Sequence, residues 1–238
     1  MRYGFSTGSI AFGDVRRGLD VASQGNTKAI ELSALREAEL EPLLNSLPEL
    51  QSQLDTFDYV SFHAPSKREQ LSEAEFVAKL TPISDRGWAI IIHPDVINDF
   101  SLWRELGKAV CIENMDKRKS TGQTASQLKD VFDQLPDATF CFDIGHARQV
   151  DPTMQEAHLL LQSFKDRLRQ VHMSYVNSQS GHERLNFESI RAYQRVAHWL
   201  DESIPVILET PVTRTEVENE ISSAGKVFAF RISAAPTI

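Results

Sequence analysis

Short apolar runs rich in β-branched and aromatic residues alternate along this chain with longer stretches in which Leu, Phe, Ile and Val recur every three or four positions. The short runs suit strands buried on both faces, whereas the three-and-four spacing places apolar side chains along one face of a helix. Eight runs predict strands: YGFST, AIELSA, YVSFHA, WAIIIH, AVCIEN, TFCFDI, RQVHMS and PVILET. Between them EAELEPLLNSLPELQSQL, SEAEFVAKLTPIS, TASQLKDVFDQL, MQEAHLLLQSFKDRL and FESIRAYQRVAHWL predict helices. Start signals support three of these. Ser72 stands ahead of Glu75 in capping-box spacing, Thr124 precedes the third helix, and Pro152 lies near the start of the fourth.

Strands that alternate with helices lie parallel, and eight of them can close into a (β/α)8 barrel, which removes both sheet edges. An open doubly wound sheet is the competing fold. Its dinucleotide loop would read G-x-G-x-x-G after the first strand, and GFSTGSIAFGDV spaces its glycines differently. No repeat, low-complexity tract or linker divides the chain, so residues 1–238 are expected to form one barrel domain. The segment PDVINDFSLWRELGK leaves room for only a short crossover between the fourth and fifth strands.

In such a barrel the chemistry collects where the strands end. Those positions read Glu31, His63, His93, Glu113 with Asn114, Asp143 with His146, His172 with Ser174, and Glu209 with Thr210, and His182 follows in the loop after the seventh strand. A lone histidine there usually bonds a neighbouring backbone group. Here five of seven histidines converge with several carboxylates, and like charges around one mouth repel unless they share a cation. Mixed imidazole and carboxylate donors suit Zn²⁺, Mn²⁺ or Fe²⁺, whereas the oxygen shells preferred by Ca²⁺ and Mg²⁺ would leave the histidines unexplained. In CFDIGHA, Phe140 and Phe142 face one side of the strand and Cys141 the other. Gly145 reads as a sharp turn that swings His146 back toward Asp143.

Composition adds boundaries. With 41% hydrophobic and 24% charged residues the chain has material for a large core, and its net charge of −8 argues against a broad grip on a polyanion. Nucleic acid is therefore a disfavoured partner. Cys111 and Cys141 lie in strand runs and are expected to be reduced core residues. MRYGFSTGSI has no long apolar signal region, and no run reaches the roughly 20 residues of a membrane span, so a cytoplasmic location and no membrane partner are expected.

IEN with a later GQT, CFDIGHA, QVHMS and IPVILET resemble, in order and interval, the xylose isomerase-like barrels, a superfamily of sugar isomerases, epimerases and endonuclease IV. The resemblance covers essentially the whole chain. It implies a xylose isomerase-like TIM barrel in which Glu113, Asp143, His172 and Glu209 bind one metal. SFHAP and IIHP resemble the strands that supply histidines to a second metal in endonuclease IV, which implies His63 and His93 as ligands with Glu113 bridging. The third metal of that enzyme uses the histidine of a D-x-x-H motif and an Asp-x-His pair. His146 and His182 match the histidines, but Ser180 stands in place of the aspartate. One to three divalent ions are implied, zinc first, with manganese and iron as alternatives.

Two reactions fit these residues. In metal-assisted phosphoester hydrolysis a pair of ions lowers the pKa of water and clamps a phosphoryl oxygen. In isomerisation or epimerisation of a sugar or sugar phosphate, one ion chelates adjacent oxygens while Glu113 and Glu209 accept and donate the proton. Glu113, Glu209 and His146 are the expected catalytic residues under either, and His182, Ser174 and Asn114 are expected at the substrate. Lys67, Arg68, Lys117, Arg118 and Lys119 follow strand ends, where they could contact phosphates or simply be solvated. The hydrolase reading leads, on the number of histidines. A non-catalytic binding barrel would need lysine or arginine to neutralise the carboxylates from within.

Overall fold

Successive side chains of a strand point to opposite faces, so in a closed sheet every second residue faces the helices and the others face the barrel axis. The computed structural model describes residues 1–25 and 27–229. Its strands are β1 (Tyr3–Ser6), β2 (Ala29–Ser33), β3 (Tyr59–His63), β4 (Ala89–Ile92), β5 (Val110–Glu113), β6 (Thr139–Asp143), β7 (Leu168–Met173), β8 (Tyr175–Val176), β9 (His182–Glu183) and β10 (Val206–Leu208). Eight of them close a parallel barrel in the order β1-β10-β7-β6-β5-β4-β3-β2, while β8 and β9 form a small antiparallel hairpin after β7. This is the (β/α)8 barrel expected from the alternation, with all eight strands where the apolar runs place them.

Register sets the division of labour. Phe62, Ile90, Ile92, Ile112, Phe140 and Phe142 pack outward into one core with helix residues such as Leu40, Phe76, Leu128 and Leu160. Ala89, Ile91, Cys111 and Cys141 form a separate cluster, consistent with the opposite strand parity. Each large side chain buried outward contributes about 1.5–3 kcal/mol. A slip of one residue would expose those groups to the axis and turn Glu113 and Asp143 toward the helices. The pairings Ser33 with His63, Glu113 with Cys141, and Asp143 with His172 thereby hold the polar positions at one end.

Helices cover Glu37–Leu54, Glu73–Ser84, Ala125–Gln134 and Gln155–Phe164. Ser72 Oγ accepts from Glu75 N at 3.3 Å and Glu75 Oε2 accepts from Ser72 N at 2.9 Å, completing the capping box. Thr124 Oγ1 caps the third helix through Gln127 N at 3.3 Å. The fourth starts at Gln155, after the site marked by Pro152, because Asp151 accepts from the backbone N–H of Thr153 and Glu156 at 2.9 Å each. The segment expected as one long final helix is broken. It is helical only over Phe187–Tyr193, with a 3₁₀ turn at Ala197–Trp199. Between β4 and β5 the crossover is indeed short, a five-residue helix Phe100–Arg104 between two 3₁₀ turns. Further helices at Thr7–Ala11, Val15–Ala22, Ile144–Val150 and Val217–Phe228 carry no strong sequence signal. Of the expected domain range, residues 230–238 lie outside the described residues. Among the described residues no helix is long and apolar enough to cross a membrane.

Candidate metal centre

Glu113 ends β5 on the axis-facing parity and is 1% exposed. Its two oxygens face different partners. Oε2 lies 3.4 Å from His63 Nε2 and 3.2 Å from His93 Nε2, whereas Oε1 lies 3.1 Å from His172 Nδ1. Two sets of ligand atoms, each mutually within 4.8 Å, therefore share this one carboxylate. The first is His63, His93 and Glu113, and the second is Glu113, Asp143, His172 and Glu209. Glu209 follows β10, with Oε1 3.5 Å from His172 Nδ1 and Oε2 3.4 Å from His182 Nδ1.

The other nitrogen of His63 and of His172 is held, which orients each ring. His63 Nδ1 donates to Ala64 O at 2.8 Å, which turns Nε2 toward Glu113. His172 Nε2 donates to Glu31 Oε2 at 2.9 Å, leaving Nδ1 toward the second set. Glu31 also accepts from Gln170 Nε2 at 2.7 Å and Ser61 Oγ at 3.1 Å, and Gln170 Oε1 accepts from Tyr59 Oη at 2.7 Å. Glu31 is fully buried beneath the mouth. The sequence places Glu31 at the strand ends of the mouth, but it lies one layer below, and Gln170 is not among the sequence-predicted site residues; each lies two positions before a mouth residue, Ser33 and His172, on the same strand parity.

At CFDIGHA the strand passes directly into the helix Ile144–Val150, so Gly145 is not a turn. A Cβ there would meet Ser174 O at 2.7 Å and Val176 Cγ2 at 2.7 Å. The glycine thus permits close packing of this helix on the segment after β7. Asp143 Oδ1 caps the helix by accepting from His146 N at 2.6 Å, which leaves Oδ2 for the ligand set. Asn114 is 0% exposed, and its amide brackets the Asp143 backbone, with Nδ2 donating to Asp143 O and Oδ1 accepting from Asp143 N, both at 2.8 Å. It therefore braces Asp143 instead of facing the pocket. Ser174 is likewise fully buried, with its Oγ 2.9 Å from His182 Nδ1.

His146 Nδ1 donates to Asn114 O at 3.0 Å, and the ring lies 5.4 Å from that of His182 between centroids. Neither belongs to the two ligand sets. Ser180 adopts a left-handed φ of 59° in the turn between β8 and β9, where its Oγ accepts from Gln149 Nε2 at 2.7 Å. It is engaged there as a loop brace.

The electrostatics fit a cation. Burial pushes the Glu209 and Asp143 carboxyls up, and neighbouring carboxylates add to the rise despite the imidazoles. Burial acts likewise on Glu113, but His172, His63 and His93 outweigh it and hold its carboxyl well below the usual range. Burial lowers His93 and takes His182 down to about 3, so neutral imidazole is the favoured form of both. Glu113 Oε2, Asp143 Oδ2, Glu209 Oε2, His93 Nδ1 and His146 Nε2 are buried without a hydrogen-bond partner. One such group costs about 1–3 kcal/mol, and the carboxylates among them, with the imidazoles of the two sets, have the donor chemistry of a divalent-metal site. Among the described residues no lysine or arginine is buried; the positive charge within is that of His172 and His63, which burial pushes down but the carboxylates around them raise.

Above the ligands opens a cavity of about 360 Å³, with His63, His93, Glu113, His146, His182 and Glu209 at its base. Phe12, Leu35, Met115 and Pro211 give it an apolar wall, and Arg118 and Lys119 line its rim.

No family model and no curated protein matches the chain by sequence. Among solved structures it is similar to endonuclease IV from Thermus thermophilus, with 20% identity, a TM-score of 0.60, and coverage of 99% of this chain and 100% of that one. It is also similar to a probable 3-DHS dehydratase involved in petrobactin synthesis from Bacillus anthracis, with 14% identity, a TM-score of 0.65, and coverage of 94% and 99%. A xylose isomerase domain protein from Alicyclobacillus acidocaldarius matches at 14% identity and a TM-score of 0.65, over 96% and 98%. The chain thus shares the (β/α)8 barrel fold of these structures.

Proposed function

We propose that the chain, as one domain over residues 1–238, is a divalent-metal enzyme that hydrolyses a phosphoester in a small molecule. The observation that carries this reading is the division of Glu113, whose Oε2 faces His63 and His93 while Oε1 faces His172. A carboxylate divided in this way would serve two ions at once, and one ion would leave the first set without purpose. Zinc is the first choice for mixed imidazole and carboxylate donors, with manganese and iron as alternatives.

When bound, a pair of divalent ions supplies positive charge for an oxyanion developing on phosphorus and makes water acidic enough to act as a nucleophile near neutral pH. The protein's own groups do the rest. His63, His93, Glu113, Asp143, His172 and Glu209 would hold the ions. Glu113 and Glu209, at the base of the cavity, are the carboxylates suited to position the attacking water. His146 Nε2, free and buried, points to a role at a substrate oxygen, and His182 stands beside it. Asn114 and Ser174 act through Asp143 and His182. The walled cavity of about 360 Å³ suits a small molecule, and the net charge of −8 weighs against nucleic acid. The two buried free thiols, Cys111 and Cys141, support a cytoplasmic setting.

Metal content and turnover test this together. Protein purified without added metal is expected to carry two ions per chain by elemental analysis and to cleave p-nitrophenyl phosphoesters. The second reading, a metal-dependent sugar or sugar-phosphate isomerase, draws on the fact that the four-residue set is complete on its own. One ion per chain, without phosphoester cleavage and with proton exchange into a sugar substrate, would establish that reading instead. Absence of metal even after reconstitution would leave a binding barrel.

A further inference from the structure

Asp116 is 1% exposed, yet it serves a residue whose side chain is 62% exposed. Its Oδ2 accepts from Arg118 Nε at 2.9 Å and Nη2 at 2.6 Å, while Oδ1 accepts from Arg118 N at 2.8 Å. A carboxylate engaged with both the fork and the backbone of one arginine fixes the direction of that guanidinium. Nη1 takes no part in these bonds, and Arg118 lines the rim of the cavity above the ligand sets. Lys119 lies beside it on the same rim, with Nζ on Asp95 at 2.6 Å.

The loop that carries them is held at several points. Met115 N donates to Gly122 O at 2.9 Å, Gln123 Nε2 donates to Asp116 O at 3.2 Å, and Lys117 N donates to Gln149 Oε1 at 3.0 Å. Gln149 in turn donates to Asn177 O and Ser180 Oγ, both at 2.7 Å, so the loop after β5 is tied to the one that carries His182. A cation fixed at a cavity rim in advance of any ligand loses little freedom on binding, which is the arrangement an anion subsite needs.

We infer that Arg118, with Lys119 beside it, binds a phosphate group of the substrate distant from the end held over the ligand sets. Resting on the proposed metal chemistry, this narrows the substrate to a small molecule with a second, terminal phosphate. A doubly charged tetrahedral group suits two adjacent cations at an open rim better than a singly charged carboxylate does. Asp116 is the positioning residue, because it acts through Arg118.

Three hydroxamates test the assignment by calorimetry on zinc-loaded protein. Acetohydroxamate reads the metals alone, phosphonoacetohydroxamate adds a distal phosphonate, and succinic monohydroxamate adds a distal carboxylate. The phosphonate probe is expected to bind the wild-type protein about 10- to 100-fold more tightly than acetohydroxamate. Arg118→Ala should erase that advantage while changing acetohydroxamate affinity less than about twofold and leaving metal content intact. Asp116→Asn should lose part of the same advantage, and Arg118→Lys should retain part of it. A phosphonate advantage that survives Arg118→Ala overturns the subsite, and an equal gain from the carboxylate probe overturns phosphate as its ligand. Failure of acetohydroxamate to bind overturns the metal reading alone. Arg118-dependent binding of methylphosphonate to metal-free protein then decides the subsite separately.

Discussion

On one side of Glu113 stand two imidazoles, His63 and His93; on the other stand Asp143, Glu209 and a single imidazole, His172. The first set brings one shared negative charge to an ion, and the second brings three carboxylates. The second is also the better braced. Asn114 brackets the Asp143 backbone and Glu31 orients His172, whereas His93 Nδ1 has no partner. More charge and a firmer outer layer give the tighter site. On the proposed two-ion reading the pair would be graded, with the four-residue set expected to fill first and the His63–His93 set to empty first.

The severest test is Glu113→Gln, which removes the shared charge. It is expected to release both ions and lower activity by about 10²–10³-fold or more, measured by elemental analysis and turnover. Retention of two ions would break the idea of a shared bridge. His93→Ala is expected to lose one ion and activity while the four-residue set keeps its own; unchanged metal content would dissolve the distinction between the sets. Glu31→Gln should weaken binding at the four-residue set by about 10- to 100-fold without displacing the ion at His63 and His93, which competition with a chelator can follow. A smaller effect concerns protons. Because Asp143 and Glu209 have raised carboxyls in the metal-free protein, binding must drive protons off, so affinity falls as the pH drops. Calorimetry in buffers of different ionisation enthalpy should record that release. Ser72→Ala removes a helix cap in the β3–β4 crossover and should cost about 1 kcal/mol by denaturant unfolding, with both metal affinities unchanged.

The barrel was legible because each of its strands is a compact apolar run bounded by helical periodicity. The six proposed metal ligands were legible because they end such runs, where topology alone brings them together. What lay beyond reach depended on parity and on contacts across the chain. Glu31 meets His172 over 141 positions of sequence, and nothing in AIELSA distinguishes a carboxylate at the mouth from one beneath it. Asn114 looked like a ligand to substrate because it follows Glu113; its use as a bracket depends on the β6 backbone alongside. Gly145 carried a turn signal, yet its function is to leave room for Ser174 O. The helix Val217–Phe228 was missed because SSAG interrupts its apolar spacing.

From Tyr59 through Gln170 and Glu31 to His172, a line of hydrogen bonds runs inside the barrel toward the ligands. Tyr59 and the neighbouring Arg169 also border a separate surface cleft with Gly87 and Trp88. For protein engineering this gives an indirect handle on the centre. Changing Gln170, whose Nε2 touches both Glu31 Oε2 and His172 Nε2, would alter the electron density that the imidazole could lend to an ion, while all six proposed ligands stay in place. Libraries aimed at a different metal preference can therefore begin at Tyr59 and Gln170, among residues that no substrate in the cavity touches.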